Sequence, residues 1–166
     1  MQNDNLTYNN ITYRQMIETF DDIATNHTQI QSFNSGSLND VDIEKLNVGN
    51  FPLLYVTPNP VSVAEQSLTY SFDVIVATII QEDFADIDDA YTQMLLIAKD
   101  VISQFRQSHI LGSYADQRTT LTMPINLTPF TSRFSDMLTG WGGTFEIVCN
   151  NVNNVCISPM TPNDGN

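Results

Sequence analysis

Positive charge is what this chain has least of. Lysine and arginine number 6 against 19 aspartate and glutamate, so the formal charge near neutrality is −13. A protein that grips DNA or RNA replaces phosphate counterions with a basic patch, and so few cations cannot build one. The same deficit argues against an anionic membrane surface as partner. Long apolar runs are missing too. The longest, Val74 to Ile80, is interrupted by Thr78 and falls far short of the roughly 20 residues that a membrane-spanning helix needs. Met1–Asn5 shows no basic stretch leading into an apolar core, so no secretory signal is expected there. Cysteine is limited to Cys149 and Cys156, and two free thiols are expected rather than a bridge. The Asn-x-Ser/Thr triplets at Asn5, Asn10, Asn26 and Asn126 then read as chance products of an Asn- and Thr-rich chain.

Catalytic signatures are equally scarce. His27 and His109 each follow a helix end, where an imidazolium sits well, and neither has a Cys, Asp or Glu at metal-ligand spacing. No Gly-x-Ser-x-Gly elbow occurs, and neither cysteine has a basic sequence neighbour to activate it. Gly-Trp-Gly-Gly at 140–143 lacks the Gly-Lys-Ser/Thr of a phosphate loop, and no helix follows it. It is expected to form a tight bend, with Trp141 packed on the core or on a partner. The acidic cluster Glu82, Asp83, Asp86, Asp88 and Asp89 lacks the glycine and terminal glutamate of an EF-hand, and reads as a helix N-terminus favoured by negative charge. No enzyme, cofactor or metal site is expected.

What the chain does have is period. From Gln66 to Gln81, Leu68, Tyr70, Phe72, Val74, Val76, Thr78 and Ile80 take every second position, the pattern of a strand with one buried face. Fully extended, this run reaches roughly 50 Å at ~3.3 Å per residue. A domain of this length is only about 30–35 Å across. The strand is therefore expected to overhang its own core and to need another subunit over its outer part. The assembly residues expected from this are Pro58, Asn59, Pro60, Val61, Val63, Leu68 and Tyr70, with Trp141 beside them. Replacing Leu68 or Tyr70 with Asp is expected to block assembly while the subunit still folds.

Two helices frame the strand. Thr12 and Gln15 form a capping box ahead of the stripe Tyr13, Met16, Ile17, Phe20, Ile23 and Ala24, which predicts a helix over about 12–26. Ile87, Ala90, Tyr91, Met94, Leu95, Ala98, Val101, Ile102 and Phe105 predict a second over about 86–107. Short strands are expected around Ile30–Phe33 and at Leu53–Val56, the latter stopped by Pro58-Asn59-Pro60. A helical turn is expected at Leu38–Leu46. Leu121, Met123, Ile125 and Leu127 predict a half-buried strand with Pro124 at an edge or bulge. A last strand runs through Phe145, Ile147 and Cys149. The fold class is α+β: a mainly antiparallel sheet with one long strand at about 66–81 and both helices on one face. A single domain over 1–150 carries a loose arm at 1–10 and a polar tail at 151–166.

The segments Phe51-Pro-Leu-Leu-Tyr-Val-Thr-Pro58 and Tyr70-Ser-Phe-Asp-Val-Ile-Val76 resemble the central strands of tail-terminator or tail-completion (neck) proteins of tailed bacteriophages. Pro129 to Gly143, Pro-Phe-Thr-Ser-Arg-Phe-Ser-Asp-Met-Leu-Thr-Gly-Trp-Gly-Gly, is similar to the end of such proteins, particularly in phages of Bacteroidetes. The resemblance spans about 12–150. It implies a structural virion subunit: a homo-oligomer, a hexameric ring, that caps the tail tube and meets the neck and connector proteins. Genomic DNA would pass its bore without specific binding. Six copies at −13 each carry −78, which would repel the passing duplex. Two alternatives remain beside it, another neck ring (head completion or stopper) and a non-viral soluble interaction module.

Overall fold

The computed structural model describes residues 11–37, 50–80, 86–106, 119–133 and 137–151. The expected arm, the turn at Leu38–Leu46, the carboxylates Glu82 and Asp83, His109, Cys156 and the tail beyond residue 151 lie outside the described residues.

The architecture is α+β. Helix α1 (Tyr13–Asn26) is followed by strands β1 (Ser32–Ser35), β2 (Leu53–Pro58), β3 (Ser62–Val63) and β4 (Ser67–Ile80). Helix α2 (Ile87–Arg106) then leads to β5 (Thr120–Leu121), β6 (Thr128–Arg133) and β7 (Met137–Asn150). The seven strands form one sheet in the order β1-β2-β4-β7-β5, with β3 beside β4 and β6 beside β7. Every pairing is antiparallel except β1 with β2.

The ends of α1 follow from its sequence. Thr12 Oγ1 accepts from the Gln15 amide at 3.3 Å, while the Thr12 amide donates to Gln15 Oε1 at 2.8 Å. Both donors are otherwise orphaned at a helix start. Thr12→Ala should cost about 1 kcal/mol in urea unfolding, a typical capping loss. In α2, Asp88 and Asp89 sit in the first turn and Arg106 in the last, complementing the helix dipole.

The backbone of the sheet is a ribbon of two long strands. All 14 residues of β4 pair with β7, from Ser67 opposite Asn150 to Ile80 opposite Met137. Toward the helices the ribbon presents Tyr70, Phe72, Val74 and Val76 on β4 and Phe145, Ile147 and Cys149 on β7, all buried. Met16, Phe20 and Ile23 of α1 and Met94, Ile97, Val101 and Phe105 of α2 close on them in one core. Phe20 is its hub, with ring centroids 5.4 Å from Phe72, 4.7 Å from Phe105 and 6.1 Å from Phe145. At the other end of β4, Ile80 packs with Ala90 and Ile87 in a second cluster. The chain's own helices thus cover the apolar face from Tyr70 to Ile80. The expected overhang reduces to the end of β4 that bears Leu68.

Two further expectations are corrected. Gly-Trp-Gly-Gly is not a bend: residues 140–143 lie inside β7, opposite Val74 to Ala77. Trp141 is half-buried on the helix side, where its indole N–H donates to the Tyr91 carbonyl at 2.9 Å and its ring meets the Tyr91 ring edge-on. The 121–127 strand stops after Leu121, and regular pairing resumes only at Thr128. Ile125 and Leu127 still reach the core, but they pack against Gly143 instead of joining a ladder. As expected, β2 is stopped at Pro58-Asn59-Pro60, with Pro58 its last paired residue, opposite Phe72.

Candidate assembly surface

The strands at one end of the ribbon build a hairpin that the core does not fill. Past Pro58 the chain stays against β4, because the Asn59 amide donates to the Ser71 carbonyl at 2.9 Å. β3 then pairs Ser62 with Thr69 and Val63 with Leu68, and the Ala64 amide closes the turn on the Ser67 carbonyl at 2.8 Å. Leu68 is half-buried against the core. Its partner Val63 is 68% exposed and Val61 is 44% exposed. Two β-branched apolar side chains therefore stand in water on a strand edge, a poor use of a residue type that gains from burial.

Both ends of the described residues, Ile11 and Asn151, are fastened near this place. The Tyr70 hydroxyl donates to the Ile11 carbonyl at 2.7 Å. The Asn151 amide donates to the Gln66 carbonyl at 3.1 Å, and its side-chain Nδ2 donates to the Ala64 carbonyl at 2.8 Å. The hairpin is thus braced from both sides, which holds Val61 and Val63 in place.

Of the residues expected for assembly, the structure brings Pro58, Asn59, Pro60, Val61 and Val63 together on this hairpin, with Leu68 at its base. Tyr70 is a different case. It is only 6% exposed and belongs to the chain's own core, where it stacks on Phe72 at 6.3 Å. The expectation that Tyr70→Asp leaves the fold intact is therefore withdrawn. Trp141 lies with α2 and contributes nothing to the hairpin. One neighbour escaped the sequence reading: Tyr13, 44% exposed with its ring 6.1 Å from Phe72. Its place on the helical stripe marked it as core.

Two titratable groups lie under the hairpin. Burial pushes the Cys149 thiol up from its ordinary value, and the Tyr70 phenol is pushed up by burial and by the nearby Cys149. Cys149 is a free thiol whose Sγ donates to the Leu68 carbonyl at 3.3 Å. Both groups are acids held neutral, so the unfolded chain releases their protons first as pH rises. Their stabilising contribution is fully present below the unfolded thiol range of about 8.5 and is lost above it. Urea unfolding should therefore show stability falling from about pH 9 upward, with the earlier part of the fall absent in Cys149→Ala. An unchanged alkaline profile in that variant would refute the assignment.

A groove lies elsewhere, between the end of α1 and α2. It measures about 540 Å³ and is lined by Ile23, Asn26, His27, Thr28, Asp100 and Gln104. His27 Nδ1 accepts from the Gln29 amide at 3.2 Å, which leaves Nε2 to donate to Asp100 Oδ2 at 3.3 Å. With both ring nitrogens engaged, the imidazole ties the end of α1 to α2. Among the described residues no group of three His, Cys, Asp or Glu is placed to hold a metal ion, and no helix is long and apolar enough to cross a membrane.

The fold and surface together define an α+β protein with one apolar hairpin. Comparison with protein-family models finds no match, and comparison with curated proteins finds none either.

Proposed function

We propose that this protein is a structural component of a tailed-bacteriophage virion, a tail terminator whose copies form a ring that caps the tail tube and joins it to the neck. One observation carries the reading: the exposed Val61 and Val63 on a hairpin held rigid at the end of a fully paired 14-residue ribbon. Exposed apolar surface on an ordered strand edge marks a contact with another chain. The element order and motifs that resemble tail-terminator proteins support the same function. The charge of −13 suits a ring whose bore lets DNA pass without holding it. Another ring of the neck would use the same surface, and the neighbours it touches in the virion distinguish the two.

Val63→Asp is the clean test. Its side chain is exposed, so the isolated subunit should keep its circular dichroism and melting temperature. Association should drop sharply, because a desolvated charge at an interface is costly. Unchanged association in size-exclusion chromatography would remove the hairpin from the interface.

A further inference from the structure

The groove between the end of α1 and α2 takes no part in the hairpin, and its lining is electrostatically one-sided. Asn26 Nδ2 donates to the Asp22 carbonyl at 2.8 Å, which leaves Asn26 Oδ1 without a donor among the described residues. Asp100 meets His27 through Oδ2, so its Oδ1 is open in the same way. The His27 ring accepts at Nδ1 and donates at Nε2, which is the arrangement of a neutral imidazole. Asp100 is therefore the single formal charge among the lining residues, and its side chain is 59% exposed. Lys99 and Arg106 of α2 are exposed but do not line the groove.

The backbone adds to the same sign. α1 ends at this groove, and the last carbonyls of a helix lack intrahelical partners and form its negative pole. The last turn of α1 carries no basic residue to offset that pole. The space itself, about 540 Å³, has the size of a small-molecule site and far exceeds what one metal ion fills. Ile23, almost wholly buried, gives it an apolar floor. Open carboxylate and amide oxygens beside an apolar floor suit a positive hydrogen-bond donor carried on a hydrocarbon stem.

We propose that this groove binds a small, free alkylammonium ion. The ammonium donates to Asp100 Oδ1 and Asn26 Oδ1, and the stem lies on Ile23. An anion of the same size would meet Asp100 and the end of α1 with the wrong sign. A neutral alcohol would forgo the charge-assisted bond.

Amide correlation spectra of the full-length protein, titrated with n-butylammonium at constant ionic strength, test this. Saturable shifts are expected at Asn26–Gln29 and Asp100–Gln104, including the side-chain amides of Asn26 and Gln104. The same additions of n-butanol or n-butyrate should produce none. Asp100→Asn keeps an acceptor for His27 and removes the charge, so binding should weaken about tenfold while the melting temperature holds. Thr28→Lys, at an exposed position, supplies an ammonium of its own and should abolish the response. Equal binding of n-butanol, or unchanged binding in either variant, would overturn the site. So would shifts that do not saturate and spread over exposed carboxylates elsewhere, such as Asp21 and Asp89.

Discussion

Gly140→Ala should strongly destabilise the protein, whereas Gly142→Ala, two residues along the same strand, should leave its stability nearly unchanged. A Cβ at position 140 would collide with the Val76 carbonyl oxygen and lie 2.9 Å from Ala77 Cα. Both are backbone atoms of β4, so no side chain can turn aside, and the two long strands must part. At position 142 the nearest atoms are Ile75 Cγ1 at 3.5 Å and the Val74 oxygen at 3.7 Å, ordinary contacts. Overpacking costs about 1–3 kcal/mol where the surroundings can yield, and a backbone collision belongs at or above the top of that range. Total stability of a domain is about 5–15 kcal/mol. Urea midpoints should therefore collapse for Gly140→Ala and shift by less than about 1 kcal/mol equivalent for Gly142→Ala. Equal effects at the two positions would show that the β4–β7 approach is misjudged.

Phe20→Ala should be the most damaging truncation in the core, at about 3–5 kcal/mol. Phe20 is fully buried, and its ring meets Phe72 of β4, Phe145 of β7 and Phe105 of α2. Removing it opens a cavity where both helices and the ribbon converge. It also deletes three aromatic pairs, each worth about 0.5–1.5 kcal/mol beyond area burial. Leu96→Ala is the matching control, since Leu96 is 52% exposed on α2. A loss of stability at Leu96 as large as at Phe20 would mean that α2 is rotated from the face described.

The elements most legible in the sequence are those with a strong period of their own. The 3.6-residue stripes of α1 and α2 and the alternation of β4 come from burial along one element, and each was readable within a residue or two of its bounds. β7 was readable only in its second half. Gly140 and Gly143 are glycine because β4 backbone and the Asn126–Leu127 segment pass within 3 Å of where a Cβ would sit. In sequence the same glycines carry the chemistry of a turn. The 121–127 alternation told that Leu121, Ile125 and Leu127 face the core, was wrong for the exposed Met123, and misled about pairing, because a ladder needs two chain segments. The parallel pairing of β1 with β2 left no local trace at all.

The site followed the same rule. Pro58-Asn59-Pro60 and the valines after it were legible as a place where the sheet stops. Tyr70 was assigned to the wrong side of the boundary. Its position on the β4 stripe does not say how far along that stripe the helices reach, and that depends on α1 and on the Ile11 carbonyl that caps the Tyr70 hydroxyl.

The central claim is that the Val61–Val63 hairpin joins one copy of this chain to another. Multi-angle light scattering of the purified full-length protein over a wide concentration range tests it most directly. The account predicts a mass several times that of one chain, with Val63→Asp reduced to single chains that remain folded. A single-chain mass for the wild-type protein at every concentration would contradict it.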